Sequence, residues 1–165
     1  MKVVCVGHST YDTTLPMDTY PTENVKYRIG KHIECGGGPA SNGAYLLAKW
    51  GLDVAIASVI GKDYYGDRII DDFTKIGADT KYLEQREDHY TSSSFIIANM
   101  SNGSRTIITS KKNPVRKLAS EVDEKADLIL IDGEHPETAY EVLEKNPNAV
   151  SVLDAGRLNE DTKFL

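Results

Sequence analysis

The three consecutive glycines at positions 36–38 constrain the fold of this chain more than any other feature of its sequence. Glycine backbones approach a ligand closely and adopt angles that other residues avoid. A helix is predicted over residues 40–50, so the free N–H groups of its first turn face the glycines. Asn42, in that turn, adds a side-chain amide that donates and accepts hydrogen bonds. The pattern predicts a strand-loop-helix unit that binds a polar ligand, and it matches neither a dinucleotide nor a nucleotide-phosphate loop.

Apolar runs and amphipathic segments alternate along the chain. This pattern favours an α/β fold, with a mostly parallel sheet flanked by helices. Gly51 and Gly77 stand where two of the predicted helices end. Strands are predicted at residues 3–6, 54–60, 81–84, 128–131 and 150–153, and helices at residues 40–50, 65–76 and 137–145.

Two segments look antiparallel and separate from that sheet. Residues 25–35 alternate between apolar and charged side chains, which predicts a half-exposed strand or a pair of strands. Residues 91–100 and 105–110 flank Asn102-Gly103, a strong hairpin signal. We expect these insertions, at about residues 14–35 and 91–110, to form a small antiparallel β lid over the edge of the sheet, within a single domain covering residues 1–165.

The acidic composition narrows the classes of partner. A net charge of −6 at pH 7 predicts no binding to nucleic acid or to anionic membranes, because both need a basic patch. The four histidines lack metal-ligand spacing, so no metal site is predicted. Cys5 and Cys35 are expected to be reduced thiols in a cytoplasmic protein.

Five short motifs follow one another in a consistent order. They are Gly7-x-x-x-x-Asp12 after the first strand, Gly37-Gly38-x-x-x-Asn42, a helix that ends at Gly51, Val59-x-Gly61-x-Asp63-x-x-Gly66, and Gly77-Ala78-Asp79-Thr80. In this order and spacing the chain resembles the ribokinase-like (PfkB) carbohydrate kinases over its whole length.

The resemblance implies an ATP-dependent kinase that transfers the γ-phosphate to a hydroxyl of a neutral sugar such as fructose or ribose. In that family a Gly-Ala-Gly-Asp motif supplies the catalytic Asp and the glycine amides of an anion hole, and this motif is absent here. The chain is therefore expected to be the N-terminal, sugar-binding portion, without a catalytic residue and inactive alone. ATP and Mg²⁺ are expected to bind mainly through a missing C-terminal half.

The resemblance also assigns roles to individual residues. It implies that Arg157 lies toward the phosphates and that the sugar is bound by Asp12, Gly37, Gly38, Asn42, Phe95 and Glu134. Asp132 and Glu134 both follow a strand and compete for one acidic position, for which Glu134 is preferred. Each residue also has a plainer structural reading, such as a turn Asp at Asp12 or sheet packing for Phe95.

Pro39 stands where many family members have Lys directly after the two glycines. The missing cation favours a neutral sugar over a phosphorylated one. Arg105 or Lys111, in the lid, are the candidates that would compensate for it.

Two other functions stay open on the sequence. The first is a non-catalytic sugar-binding or regulatory module. The second is a nucleoside kinase of the same fold, with Tyr11, Tyr27 or Phe95 stacked on the base. A sheet that stops at residues 150–153 would leave an edge and an apolar face uncovered, so the chain alone is expected to aggregate or to form a dimer through the lid or that edge, with a homodimer through the lid preferred.

Overall fold

The computed structural model describes residues 1–111, 113–156 and 160–165. These residues form nine strands and four helices. In chain order they are β1 Lys2–Val6, β2 Thr10–Met17, β3 Ile33–Gly37, α1 Pro39–Lys49, β4 Asp53–Gly61, α2 Tyr64–Lys75, β5 Asp79–Arg86, β6 Ser92–Asn99, β7 Arg105–Ser110, β8 Leu128–Ile131, α3 Pro136–Lys145, β9 Val150–Leu153 and α4 Glu160–Phe164.

Five strands form the main sheet in the order β5-β4-β1-β8-β9, and every neighbouring pair is parallel. The continuous apolar run of β1 is buried because both faces of the sheet are covered. Val3 and Cys5 pack with residues of α1 and α2, whereas Val4 and Val6 pack with residues of α3 and of the 113–127 segment. The predicted α/β class, with a mostly parallel sheet flanked by helices, is confirmed.

Four strands form a second sheet in the order β3-β2-β6-β7. The outer pairs are antiparallel, but β2 and β6 at its centre are parallel, so the sheet is mixed rather than antiparallel. The prediction of strands across residues 25–35 is wrong for most of that range, because residues 18–32 contain no helix or strand. Strand β2 is not among the predicted strands, because threonines and Pro16 interrupt its apolar pattern.

Glycines end the structural elements where the sequence predicts. Gly51 follows α1 with φ 85°, and Gly103 lies in the β6–β7 turn with φ 73°. Both values lie in the left-handed region that favours glycine. The N–H of Gly103 donates to the carbonyl of Asn99 at 2.9 Å, which closes the predicted hairpin.

The two cysteines are both free. Cys5 is buried in the main sheet, and burial raises the pKa of its thiol to about 12. Such a thiol is protonated at neutral pH and unreactive. Among the described residues, no helix is long and apolar enough to cross a membrane.

Candidate functional site

The glycine loop joins β3 to α1 at the carboxyl edge of the main sheet. Gly38 has φ 98°, and a Cβ there would lie 2.2 Å from the carbonyl oxygen of His8. A Cβ at Gly37 would lie 2.2 Å from Oδ2 of Asp12. No side chain fits at either position without displacing a neighbour. The N–H of Asn42 donates to the Gly38 carbonyl at 2.8 Å and begins the helix.

Asp12 lies in the middle of β2, opposite Cys35 on one side and Ser94 on the other. Its partly buried carboxylate points at Gly37 and accepts a hydrogen bond from the hydroxyl of Thr10 at 3.3 Å. The structure thus brings Asp12 and Gly37 into contact, although they are far apart in sequence. Few protein donors occupy the carboxylate, so it keeps acceptor capacity for another partner.

Phe95 lies on the opposite face of the second sheet from Asp12. It pairs with Thr13 in β2 and with Ile108 in β7, one position beyond the residues that flank Asp12. Because side chains alternate between the two faces of a sheet, Phe95 and Asp12 point in opposite directions. The residues of β6 on the Asp12 face are Ser92, Ser94, Ile96 and Ala98, of which Ser94 and Ile96 lie nearest to Asp12 along the strand. The sequence pattern of β6 alone did not reveal this, since the face depends on its register with β2.

A cavity of about 280 Å³ lies between the glycine loop and helices α1 and α2. Gly37 and Asn42 of the predicted site line this cavity, as do the aromatic residues Tyr45 and Phe73. Asp12 is not among the described lining residues, but it shares its sheet face with two of them, Thr10 and Cys35. The described lining residues are Thr10, Tyr11, Glu34, Cys35, Gly36, Gly37, Ser41, Asn42, Tyr45, Arg68, Ile69, Asp72 and Phe73.

Charges of both signs line this cavity. Arg68 donates from Nε to the hydroxyl of Tyr11 at 3.3 Å, and this hydrogen bond raises the pKa of Arg68. Glu34 and Asp72 line the same space. The cavity therefore offers hydrogen-bond donors and acceptors without an excess of positive charge.

The acidic residues after β8 complete this edge. The carboxylate of Asp132 accepts hydrogen bonds from the backbone N–H groups of His8, Ala40 and Glu134 at 2.9, 3.0 and 3.1 Å. Glu134 instead pairs with Lys111, with 2.6 Å between Nζ and Oε2. Asp132 was not preferred from the sequence, although its position directly after a buried strand marks the edge where α/β sheets bind ligands.

His8 lies beside this pair, with 4.0 Å between its Nδ1 and Oε1 of Glu134. Burial lowers the pKa of His8 more than the nearby carboxylates raise it, so the imidazole is neutral at pH 7. Arg157, expected near the phosphates, lies outside the described residues.

Residues 1–149 match the family model described as pfkB family carbohydrate kinase. The chain belongs to this family. The match covers most of the chain, including the glycine loop, Asp12 and Asp132, and the sequence resemblance to PfkB kinases is confirmed.

Named relatives agree with this assignment. The chain is 29% identical to ketohexokinase of Mus musculus over 149 residues, covering 87% of this chain and 50% of that protein. It is 25% identical to an ATP-dependent ribose-1-phosphate kinase of Halopiger xanaduensis over 170 residues, covering 99% and 57%. The crystal structure of a putative ribokinase from Agrobacterium tumefaciens superposes with a TM-score of 0.85 at 26% identity, covering 99% of this chain and 56% of that one.

The chain spans about half the length of the curated relatives it matches. PfkB relatives use ATP, as the name of the Halopiger enzyme states. Within the described residues, no three His, Cys, Asp or Glu side chains come together as a metal site.

Proposed function

We propose that this chain is the sugar-binding half of an ATP-dependent kinase that phosphorylates a hydroxyl of a neutral sugar of the fructose or ribose type. The contact between the Asp12 carboxylate and the side-chain-free backbone of Gly37 is the observation that carries the proposal. It combines a charged acceptor with a backbone surface that a small polar ligand approaches closely.

In this proposal Asp12 accepts hydrogen bonds from two sugar hydroxyls, because bonds to a charged acceptor are stronger than neutral ones. Gly37 and Gly38 let the ring lie against the backbone, and Asn42 donates and accepts from the first turn of α1. Ser94 and Ile96 replace Phe95 as the side chains of β6 that face the sugar, since they share the Asp12 face. These residues orient the hydroxyl, and the base that removes its proton is not among them.

The arrangement of cations supports a neutral sugar. Lys111 is held in an ion pair with Glu134, so its charge is already compensated. In β7, Thr109 lies opposite Ser94, which is next to Asp12, whereas Arg105 lies opposite Ala98. Arg105 is four residues from Thr109 along β7, a distance of about 13 Å. Neither residue supplies a free cation beside Asp12, and Pro39 supplies none at the glycine loop. Arg68 lines the cavity, but the carboxylates of Glu34 and Asp72 line it as well.

We further propose that the second sheet is the lid of the site, and that it pairs with a second copy of the chain. A lid that excludes water protects the phosphoryl group from hydrolysis. Phe95 and Ile108 form a cross-strand pair with exposures of 47% and 58%. An exposed apolar pair on the face opposite Asp12 is available to a partner copy without blocking the sugar. Sedimentation of the full-length protein as a monomer would contradict the dimer.

A nucleoside kinase is the second candidate, because Tyr45 lines the cavity and is 39% exposed. Tyr11 is unavailable to a base, since it is 2% exposed and its ring stacks on Tyr65 at 5.3 Å between centroids. A cavity of about 280 Å³ lies just below the roughly 300–1,000 Å³ typical of small-molecule sites. This volume favours a single sugar ring over a nucleoside.

The proposal is tested by measuring Mg-ATP turnover of the full-length protein on fructose, ribose, ribose 1-phosphate and adenosine. We expect one of the two neutral sugars to give the highest kcat/KM. A preference for ribose 1-phosphate would contradict the neutral substrate, and a preference for adenosine would establish the nucleoside kinase. Sugar binding without turnover on any substrate would identify the non-catalytic module.

The contribution of Asp12 is measured in the same assay with Asp12→Asn. We expect sugar kcat/KM to fall at least about tenfold, because a charged hydrogen bond to a hydroxyl is lost. Asp18→Asn, at an exposed position just beyond β2, is the matched control and should leave kcat/KM unchanged. Equal effects of the two variants would overturn the role of Asp12.

A further inference from the structure

Asp132 connects three separate backbone segments at the carboxyl edge of the main sheet. Its Oδ2 accepts from the N–H of His8, between β1 and β2, and from the N–H of Ala40, in the first turn of α1. Its Oδ1 accepts from the N–H of Glu134, in its own loop. The distances of 2.9, 3.0 and 3.1 Å are those of well-formed hydrogen bonds.

Helix α1 depends on this carboxylate because its own sequence supplies no cap. The N-cap residue is Gly38, which has no side chain, and no side-chain capping bond is formed. Pro39 follows with no N–H, so Ala40 carries the first N–H of the helix. Helix α2 is different, since its N-cap residue Asp63 accepts from Gly66 within the same turn. In α1 the equivalent acceptor is Asp132, in the loop after β8 and more than ninety positions away.

Gly7 makes room for the same carboxylate. A Cβ at position 7 would lie 2.1 Å from Oδ1 of Asp132. The residue that follows, His8, donates to Asp132, and its carbonyl oxygen is the atom that a Cβ at Gly38 would strike. The chain from Gly7 to His8 therefore lies between Asp132 and the glycine loop, and a shift at one is transmitted to the other.

We propose that Asp132 is a positioning residue that holds the Gly37–Gly38 backbone and the first turn of α1 in the geometry that binds the sugar. This inference rests on the proposed sugar-binding function. Three of the roughly four acceptor positions of the carboxylate are used by backbone N–H groups. Asp132 therefore acts through the glycine loop rather than by direct contact with the substrate.

The test compares Asp132→Asn with the wild type in the full-length protein. In Asn one carboxylate oxygen becomes an NH₂ that cannot accept a hydrogen bond, and the other loses its charge, so the bonds from His8 and Ala40 are lost or weakened to neutral ones whichever way the amide is turned. We expect the sugar KM to rise about tenfold or more, the loss that goes with a charge-assisted hydrogen bond, while the ATP KM stays unchanged. Amide hydrogen exchange should accelerate at His8 and Ala40 and stay unchanged in β5.

Asp127→Asn is the matched control, because Asp127 precedes the same strand and its Oδ2 accepts from the backbone N–H of Lys2 at 2.7 Å at the opposite edge of the sheet. It should leave the sugar KM unchanged. Gly7→Ala should raise the sugar KM as Asp132→Asn does, and the double variant should be no worse than either, since both displace the same segment.

The outcomes separate this inference from the proposed function. An Asp132→Asn protein with lower stability and an unchanged sugar KM would make Asp132 merely structural and overturn the proposal. Unchanged exchange at His8 and Ala40 would overturn it as well. Absence of sugar binding by the wild type would reject the proposed function, whereas the exchange measurement would still decide whether Asp132 holds the loop.

Discussion

The two sheets of this molecule differ in how deeply their side chains are buried. In the main sheet, β1 carries buried side chains on both faces, and β8 buries Ile129 and Ile131 on one face, with Ile129 0% exposed. In the second sheet, β7 exposes both Ile107 and Ile108. The proposed sugar site lies where the sheets meet, with Asp132 on the packed side and Asp12 on the exposed side. A rigid frame thus positions one wall of the site, and a thinly packed sheet supplies the other.

The largest expected effect contrasts the two sheets directly. Ile129→Ala removes a fully buried side chain from β8 and should lower the free energy of unfolding by about 2–5 kcal/mol. Ile108→Ala, at a 58% exposed position in β7, should lower it by less than about 1 kcal/mol. Denaturant unfolding of the full-length variants measures both values. Equal losses would show that the second sheet is as tightly packed as the main one.

The sequence predicts the strands of the main sheet better than those of the second sheet. Continuous apolar runs identified β1, β4 and β8 nearly residue for residue, because buried parallel strands need little long-range information. Strand β9 was predicted with the same accuracy, although its side chains are exposed. Strand β2 was missed because its threonines and its Pro16 resemble a loop until β3 and β6 pair with it.

Some contacts of the candidate site were predicted from the sequence, and others depend on the fold. The motif spacing predicted Asp12 and the glycines as parts of one site, and the structure places Asp12 against Gly37. The face of Phe95 depended on register with a strand more than seventy positions earlier, which no local pattern encodes. The bonds of Asp132 to His8 and Ala40 likewise join residues that only the fold brings together.

The next largest effect is expected at the junction of the sheets. Gly38→Ala places a side chain at φ 98° and against the carbonyl of His8, which should cost about 1–3 kcal/mol of stability and weaken sugar binding. Gly36→Ala, in the same loop, has nothing within 4 Å of its new Cβ and should leave stability nearly unchanged. Thermal unfolding with and without sugar measures both effects. A stable Gly38→Ala protein with normal affinity would remove the need for glycine there.

A smaller effect is expected at Asp63, which links α2 to the start of the second sheet. Its carboxylate accepts from the N–H groups of Gly66 at 2.8 Å and of Thr91 at 2.7 Å. Burial opposes ionisation, but these hydrogen bonds outweigh it and lower the pKa of Asp63. A lowered pKa in the folded state contributes stability above the unfolded value that is lost as the pH falls through the folded value.

Asp63→Asn should therefore reduce stability at pH 7 by about 1 kcal/mol, the usual size of a capping contribution. The difference from the wild type should shrink as the pH is lowered below the ordinary carboxyl range. Chemical unfolding across that range measures it, with the exposed Asp71→Asn as the control at the far end of the same helix. A difference that stays constant with pH would show that the charge of Asp63 contributes nothing to this junction.

The smallest effect is expected for the ion pair between Lys111, which follows β7, and Glu134, which follows β8. The pair joins the outer strand of the second sheet to the edge of the main sheet, and its side chains are 36% and 17% exposed. Lys111→Met should lower the free energy of unfolding by no more than about 1 kcal/mol, because partial exposure screens the attraction.

A clearer effect of Lys111→Met is expected on sugar binding. The wild-type sugar KM should rise with salt as the second sheet loosens, whereas the KM of Lys111→Met should start higher and respond little. Lys75→Met breaks an exposed ion pair within α2, and this variant should keep the wild-type salt response. If Lys111→Met retained the wild-type response, the second sheet would be held over the sugar by its strand pairing and by the Tyr11–Tyr65 stack, with no help from charge.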